Sequence, residues 1–181
     1  MGEGLRGGSA SGQFAALPKL ALMLSRLSPR MLRIALNIWP PFVGAGIRVR
    51  HVAPDFRSVI VDMTLRWFNR NYVGTHFGGS LYAMTDPFLI LMLLHVLGSD
   101  YRVWDKSGSI DYIAPGRGRV TARFDLLEAD LVQIRRMTES GDKHLHLFYV
   151  DVKDSEGMVV ARVEKVIYVR RKREAPPGDA A

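Results

Sequence analysis

The chain has 181 residues, 48% of them hydrophobic and 24% charged, which suits one domain with a buried core rather than a fibrous or disordered chain. It contains no cysteine, which removes disulfides, thiolate metal sites and cysteine nucleophiles and fits a cytoplasmic location. A net charge of +7 and a pI near 10.0 favour anionic partners, yet no helix-turn-helix, zinc-finger or RNA-binding signature accompanies the basic residues, so nucleic acid is not the expected partner.

Residues 1–17, opened by a Gly- and Ser-rich run, are expected to be disordered. A helical extension is predicted over 18–41, where Leu20, Leu24, Leu27, Met31, Ala35 and Ile38 recur at steps of three and four. Ser28 followed by Pro29 has the pattern of an N-cap and first helical residue, which divides the extension into two helices near Leu27. Pro40-Pro41 closes the second. No acid lies between Glu3 and Asp55. This basic, apolar segment suits packing on the domain or on a partner subunit, with peripheral contact to a membrane surface as the alternative. Its Arg-rich, acid-poor start also imitates a mitochondrial transit peptide.

The main domain is placed at 42–172, with a flexible tail at 173–181. Strands are expected where Ile47, Val49 and His51 alternate with Arg48 and Arg50, and again at Val59, Val61, Met63 and Leu65. A glycine-led helix from about Gly79 to Leu97 follows. It contains Thr85, Asp86, Pro87 and His95, so it reads as a core helix rather than a membrane span. Next come strands at Arg102–Ile113 and Arg119–Leu126, a short helix at Asp130–Met137, and strands at His144–Lys153 and Met158–Arg170 joined by the turn Asp154-Ser155-Glu156-Gly157. Two strands, a helix apolar all round, then four strands describe an α+β hotdog fold, a curved antiparallel sheet wrapped round one long central helix.

The segment Asn71-Tyr72-Val73-Gly74-Thr75-His76-Phe77-Gly78-Gly79, with Asp86 eight residues after Gly78, resembles the active-site segment of hotdog-fold acyl-CoA thioesterases of the phenylacetic-acid-pathway type. The leading Leu27-Ser28-Pro29-Arg30 and Trp39-Pro40-Pro41-Phe42 segments and the strand Val103-Trp104-Asp105-Lys106 are similar to the DUF4442 group among them. The likeness spans about residues 28–170. Where those thioesterases usually read His-Gly-Gly, this chain has Phe77 before the glycines and His76 one place earlier, so the histidine's role does not carry over by position.

The resemblance implies Asp86 as general base or nucleophile, Gly78 and Gly79 as backbone oxyanion donors, and Asn71 as the group that orients water or carbonyl. It places His76, Phe77, Asp105 and Lys106 along the substrate, with the site shared across a homodimer or a dimer of dimers. Chemistry agrees with the assignment: attack on a thioester needs a proton acceptor and donors for the developing oxyanion, and glycine lets a carbonyl reach the backbone. Asp86, expected in apolar surroundings, is expected to have its pKa raised by desolvation. Structural roles stand beside each assignment: a helix-kink acid for Asp86, close helix packing for Gly78 and Gly79, a loop cap for Asn71, a surface ion pair for Asp105 with Lys106. Arg117 and Arg119 are placed for coenzyme A phosphates or as a solvated turn. His144 and His146 share a strand face without a third ligand, so no metal is expected. Ser80, four residues after His76, lacks a nucleophile elbow. The expected partner is an acyl-CoA or other acyl thioester and no cofactor is needed; a non-catalytic acyl-CoA or lipid binder is the competing reading.

Overall fold

A computed structural model describes residues 27–172; the expected disorder of residues 1–17, the first extension helix and the tail at 173–181 lie outside them. Ser28 caps helix α1 (Pro29–Ile38), its hydroxyl accepting the Met31 N–H at 3.3 Å, with Pro29 in the first turn. Pro40-Pro41 does end α1, but it also begins a second short helix, α2 (Pro40–Ala45). Proline is tolerated in a first turn, where its missing N–H has no helical partner anyway. Gly46 stops α2 at φ +74°, left-handed backbone that glycine adopts freely.

Six antiparallel strands form a single sheet in the order β1-β2-β4-β5-β6-β3. They are β1 (Ile47–Val52), β2 (Ser58–Thr64), β3 (Tyr101–Tyr112), β4 (Arg119–Asp125), β5 (Lys143–Asp154) and β6 (Val159–Arg171). Alternation sets the inner face: Val59, Val61 and Met63 of β2, Val120, Ala122 and Phe124 of β4, and Val163, Ile167 and Val169 of β6 are all nearly inaccessible. The β5–β6 hairpin turns where foreseen, with the Asp154 carboxylate accepting the Glu156 and Met158 N–H groups at 2.9 Å each and Gly157 at φ +87°. Helix α5 (Glu128–Met137) links β4 to β5 and packs on β5.

The central helix departs from the expected continuous run. It is two pieces, α3 (Gly78–Ala83) and α4 (Phe88–Leu97), separated by turns over Met84–Pro87. Proline has no N–H for the helical ladder, and its ring disfavours helical backbone in the residue before it. The Asp86–Pro87 peptide is cis. By length and composition Gly78–Leu97 is apolar enough to cross a membrane. Here it fills the concave side of the sheet, with Met84, Phe88, Leu89, Leu91, Met92, Leu93 and Leu94 buried. This is the hotdog arrangement, α+β, with Met84 and Met92 as core.

The two edges of the sheet differ. Along β1 runs α1, which buries Leu32 and Leu36 in the core. Its Asn37 amide donates to the Val49 carbonyl at 3.0 Å and accepts the Val49 N–H at 2.8 Å, while Arg33 donates to the Arg50 carbonyl at 3.2 Å. A side-chain amide thus takes the place of a neighbouring strand. The packing reading of the extension holds for this face; Met31, Ile34 and Ile38 remain exposed. At the other edge, β3 pairs only with β6. Twelve residues of edge strand, most of them exposed, are left uncovered among the described residues.

Candidate active site

The loop 71–77 and the start of α3 wall a pocket of about 750 Å³ with the turn 112–117. The loop is self-supported through Asn71. Its side-chain oxygen accepts the Val73 and Thr75 N–H groups at 3.0 Å each, and its NH2 donates to Thr75 Oγ1 at 2.9 Å and the His76 carbonyl at 3.3 Å. Both amide hydrogens are thereby used. Asn71 does not hold a group free to orient water or a carbonyl, as expected for it; it fixes the loop, the structural alternative at that position.

His76 anchors the same loop from below. It is 2% exposed, its N–H meets the Gly116 carbonyl at 3.0 Å, and its ring Nε2 lies 3.1 Å from the Gly118 carbonyl. A carbonyl only accepts, so Nε2 carries the proton and Nδ1, buried without a partner, is the acceptor nitrogen. Burial lowers the imidazole pKa, partly opposed by the Gly118 hydrogen bond. Gly116 is small where His76 needs it: an added Cβ would come within 3.3 Å of the ring Cδ2. Ser80 makes no hydrogen bond to His76, which disposes of a Ser–His pair.

Phe77 is 56% exposed and forms a pocket wall rather than core. Behind it, Ser80 and Leu81 donate their N–H groups to the Phe77 carbonyl at 2.9 and 3.2 Å. The N–H groups of Gly78 and Gly79 have no partner among the described residues. They are the first amides of α3, which helix geometry leaves without intrahelical acceptors, and both residues line the pocket. A Cβ on Gly78 would meet the Tyr112 side chain at 2.8 Å and one on Gly79 the Phe77 ring at 2.6 Å, each an exposed aromatic of the pocket wall. Ile113, Leu81 and Val73 extend the apolar lining, and exposed Arg117 sits at the rim.

Asp86 is not in that pocket, and it does not stand alone in apolar surroundings. Its side chain is 43% exposed, and Oδ1 accepts Lys165 Nζ at 2.9 Å. The same ammonium donates to Asp105 Oδ2 at 3.0 Å, so Asp105 pairs with Lys165 rather than with its neighbour Lys106. A β-bulge between Asp105 and Ser107 takes Lys106 out of the pairing with β6. Lys106 is exposed there and pairs with neither acid of the cluster. The Asp105 carboxyl is raised by burial first, with Lys165 opposing and Asp86 reinforcing the rise.

Lys165 is 3% exposed. Burial pulls its ammonium down, and the hydrogen bonds and charges of Asp86 and then Asp105 more than offset this, leaving it raised. Its Nζ lies 5.3 Å from the centre of the Tyr82 ring. Gly108, directly across the β3–β6 pair, makes room: a Cβ there would collide with the Tyr82 hydroxyl and approach Lys165 Cδ at 3.1 Å. Sequence reasoning missed this lysine. The available signal was its phase in β6, where Val163, Lys165, Ile167 and Val169 alternate inward.

The described residues hold no cluster of three metal-binding side chains. His146 Nε2 lies 3.3 Å from Asp130 Oδ1, and His144 faces His146. Arg119 lies 3.9 Å from buried Asp62, away from the pocket.

The chain matches a family model described as a domain of unknown function, DUF4442, over residues 28–169. Comparison with curated proteins matched none. Among solved structures it is similar to PA5026 of Pseudomonas aeruginosa, a protein of unknown function described as a probable thioesterase, at 19% identity and a TM-score of 0.68, covering 87% of this chain and 99% of that one. The thioesterase HI1161 of Haemophilus influenzae aligns at 15% identity and a TM-score of 0.58, over 83% and 95% of the two chains. A Chlorobaculum tepidum protein of unknown function, OLEI01261, aligns at 17% and 0.61, over 86% and 96%. At these identities the likeness speaks for the fold.

Proposed function

Because the chain belongs to the DUF4442 family and shares its fold with proteins described as thioesterases, we propose that it hydrolyses an acyl thioester, an acyl-CoA or a related carrier, in the cytoplasm. One observation carries the reading: two adjacent amides, Gly78 and Gly79, are unpartnered and open on an apolar pocket. Amide donors fixed where negative charge develops are the main requirement of acyl transfer. Val73, Leu81 and Ile113 suit an acyl chain, and Arg117 at the rim suits a phosphate of the carrier.

In this reading Asp86 accepts the proton of the attacking water, the carbonyl oxygen takes its charge to Gly78 and Gly79, and the thiolate leaves with that proton. Asp86 and the glycine pocket are separate in one chain, so the reading calls for a second copy. The β1 edge is sealed by Asn37 and Arg33, whereas the β3 edge is uncovered and Asp105 and Gly108 lie on it. Pairing of two chains along β3 would set the carboxylates of one beside the pocket of the other, making a homodimer the smallest active unit.

The test is release of free thiol from thioesters of graded acyl length, with Asp86→Asn alongside. Loss of a positioned proton acceptor lowers turnover by about 10²–10⁴-fold; full activity in the variant would remove Asp86 from the chemistry. A second reading has its own observation, the ion pair that ties up one oxygen of Asp86: an acyl-thioester binder without turnover. Thermal stabilisation by a thioester with no thiol released would select it.

A further inference from the structure

Lys165 is the one lysine or arginine side chain that is buried among the described residues. It meets two carboxylates on two different elements, Asp86 at the break between α3 and α4 and Asp105 on β3. The groups packed round it are few. Across the β3–β6 pair stands Gly108, across the β5–β6 pair Phe148, and over the ammonium the Tyr82 ring. None of these brings a further charge, and Lys106, the exposed residue of the bulge, does not pair with the cluster. The unit therefore holds one positive and two negative groups. Asp105 Oδ1 is buried with no hydrogen-bond partner, so the cluster has an acceptor that its own residues leave unused.

We propose that Lys165 is a positioning residue of the thioester site, which holds Asp86 and Asp105 on one ammonium so that the two carboxylates act together as a single proton acceptor. The inference rests on the reading of Asp86 as the base and goes beyond it, because no base of two acids on a lysine follows from that reading. The proton balance is simple. Water attacks the carbonyl carbon and gives one proton to the pair, the C–S bond breaks, and the proton passes to the departing sulfur. The cluster goes from a net charge of −1 to 0 and back. Lys165 sets how readily that proton is held: closely coupled acids titrate as a pair, and a charge within a few ångströms moves a neighbour by about one to three pH units.

The charge count fixes a pattern of signs. Lys165→Met leaves two carboxylates without a cation, so the pair holds a proton to higher pH and the acid limb of the kcat/KM profile moves up by about one to three units. Asp105→Asn leaves one carboxylate on the lysine and moves the limb down. The double variant has one carboxylate and no cation, restores the net charge of −1, and brings the limb back toward the wild-type position. KM should change less than kcat throughout, since none of these groups lines the pocket.

The experiment is kcat/KM against pH for the full chain and the three variants, on the thioester that the wild type turns over best, with thermal unfolding of each. A lysine that merely braces β3 and β6 would lower the melting temperature and leave the limb in place, and that result overturns the inference. If Lys165→Met does not fold, Asp105→Asn keeps its cation and decides alone: a limb that stays put or rises overturns it. Failure of the parent reading is distinct. It would appear as a wild type without turnover or as a fully active Asp86→Asn, whereas an inactive Asp86→Asn with fixed limbs in the other variants sinks only the role of Lys165.

Discussion

Replacing Gly78 by alanine separates the two explanations of the glycine pair. The residue begins α3 with ordinary negative φ, so alanine fits the backbone and is favoured by up to about 1 kcal/mol over glycine within a helix. Its Cβ would lie 2.8 Å from Tyr112 Oη, 2.9 Å from Cζ and 3.1 Å from Cε1. All three atoms belong to a side chain that is 58% exposed, which can swing aside at a cost of about 0.5–1.5 kcal/mol. The two effects nearly cancel, so stability should stay within about 1 kcal/mol of wild type, a few degrees in melting temperature. The methyl, however, stands in the pocket beside the amides that a carbonyl oxygen must reach. Losing one such donor costs about 10²–10³-fold in kcat, and obstructing both is expected to cost no less. Thermal unfolding and thiol release on the same preparation measure the two numbers. If the glycines served packing, the outcome would invert: an overpacked site loses about 1–3 kcal/mol while the folded fraction keeps its rate. A stable, fully active Gly78→Ala would refute both explanations.

Three further outcomes follow from the geometry. Asn37→Ala removes both bonds to Val49 and leaves a buried backbone donor and acceptor of β1 exposed to competition; it should cost about 1–3 kcal/mol in denaturant unfolding and speed hydrogen exchange at Val49, and a loss below about 0.5 kcal/mol would mean that the edge is not sealed there. His76 is held below its ordinary value of 6.5 by burial, so as pH falls through about 6.5 the unfolded chain takes its proton first and stability declines. His144, lowered by burial and by the charge of His146, adds to the same slope. His76→Gln should therefore flatten, without abolishing, the fall in melting temperature between about pH 7 and 5, and an unchanged slope would show that the imidazole is not neutral in the fold. Sedimentation of the wild-type chain should give a dimer or a multiple of one; a stable monomer with full activity would remove the shared site.

Much of this architecture is legible in the sequence because it rests on local rules. Ser28-Pro29 starts a helix by its hydroxyl and its fixed φ, Asp154 and Gly157 close a hairpin, and alternation places the inward residues of β2, β4 and β6. The errors arise where a local signal has two meanings. Pro40-Pro41 both ends one helix and opens the next. Continuous apolar character from Leu81 to Leu97 hid the break that Pro87 enforces. The glycine motif was legible in the sequence, and in the structure both glycines line the pocket. The charge cluster was not, because Lys165 is 79 residues from Asp86 and 60 from Asp105 along the chain. Only the fold brings them together, and only the bulge at Lys106 restores the inward facing of Gly108 opposite the lysine.

The broken helix joins these observations. An uninterrupted helix would fix residue 86 on the face opposite Met84 and Phe88, both inaccessible. The turns over Met84–Pro87 instead release Asp86 toward the sheet, within reach of β6 and β3. With its side chain 43% exposed, a lone carboxylate in that position would lose part of its hydration, at a modest cost. Sharing a cation lowers the cost, but a one-to-one ion pair would also make the carboxylate a reluctant proton acceptor. A second acid on the same lysine resolves the conflict, since the unit keeps a negative charge to give to a proton while each carboxylate remains paired. On that argument Asp105 acts through Asp86, setting how readily the shared proton is held. Exchanging the two single variants, Asp86→Asn against Asp105→Asn, should then give an inactive protein in the first case and, in the second, an active one displaced along the pH axis. Equal and complete loss in both would mean that the cluster is a clamp on the fold.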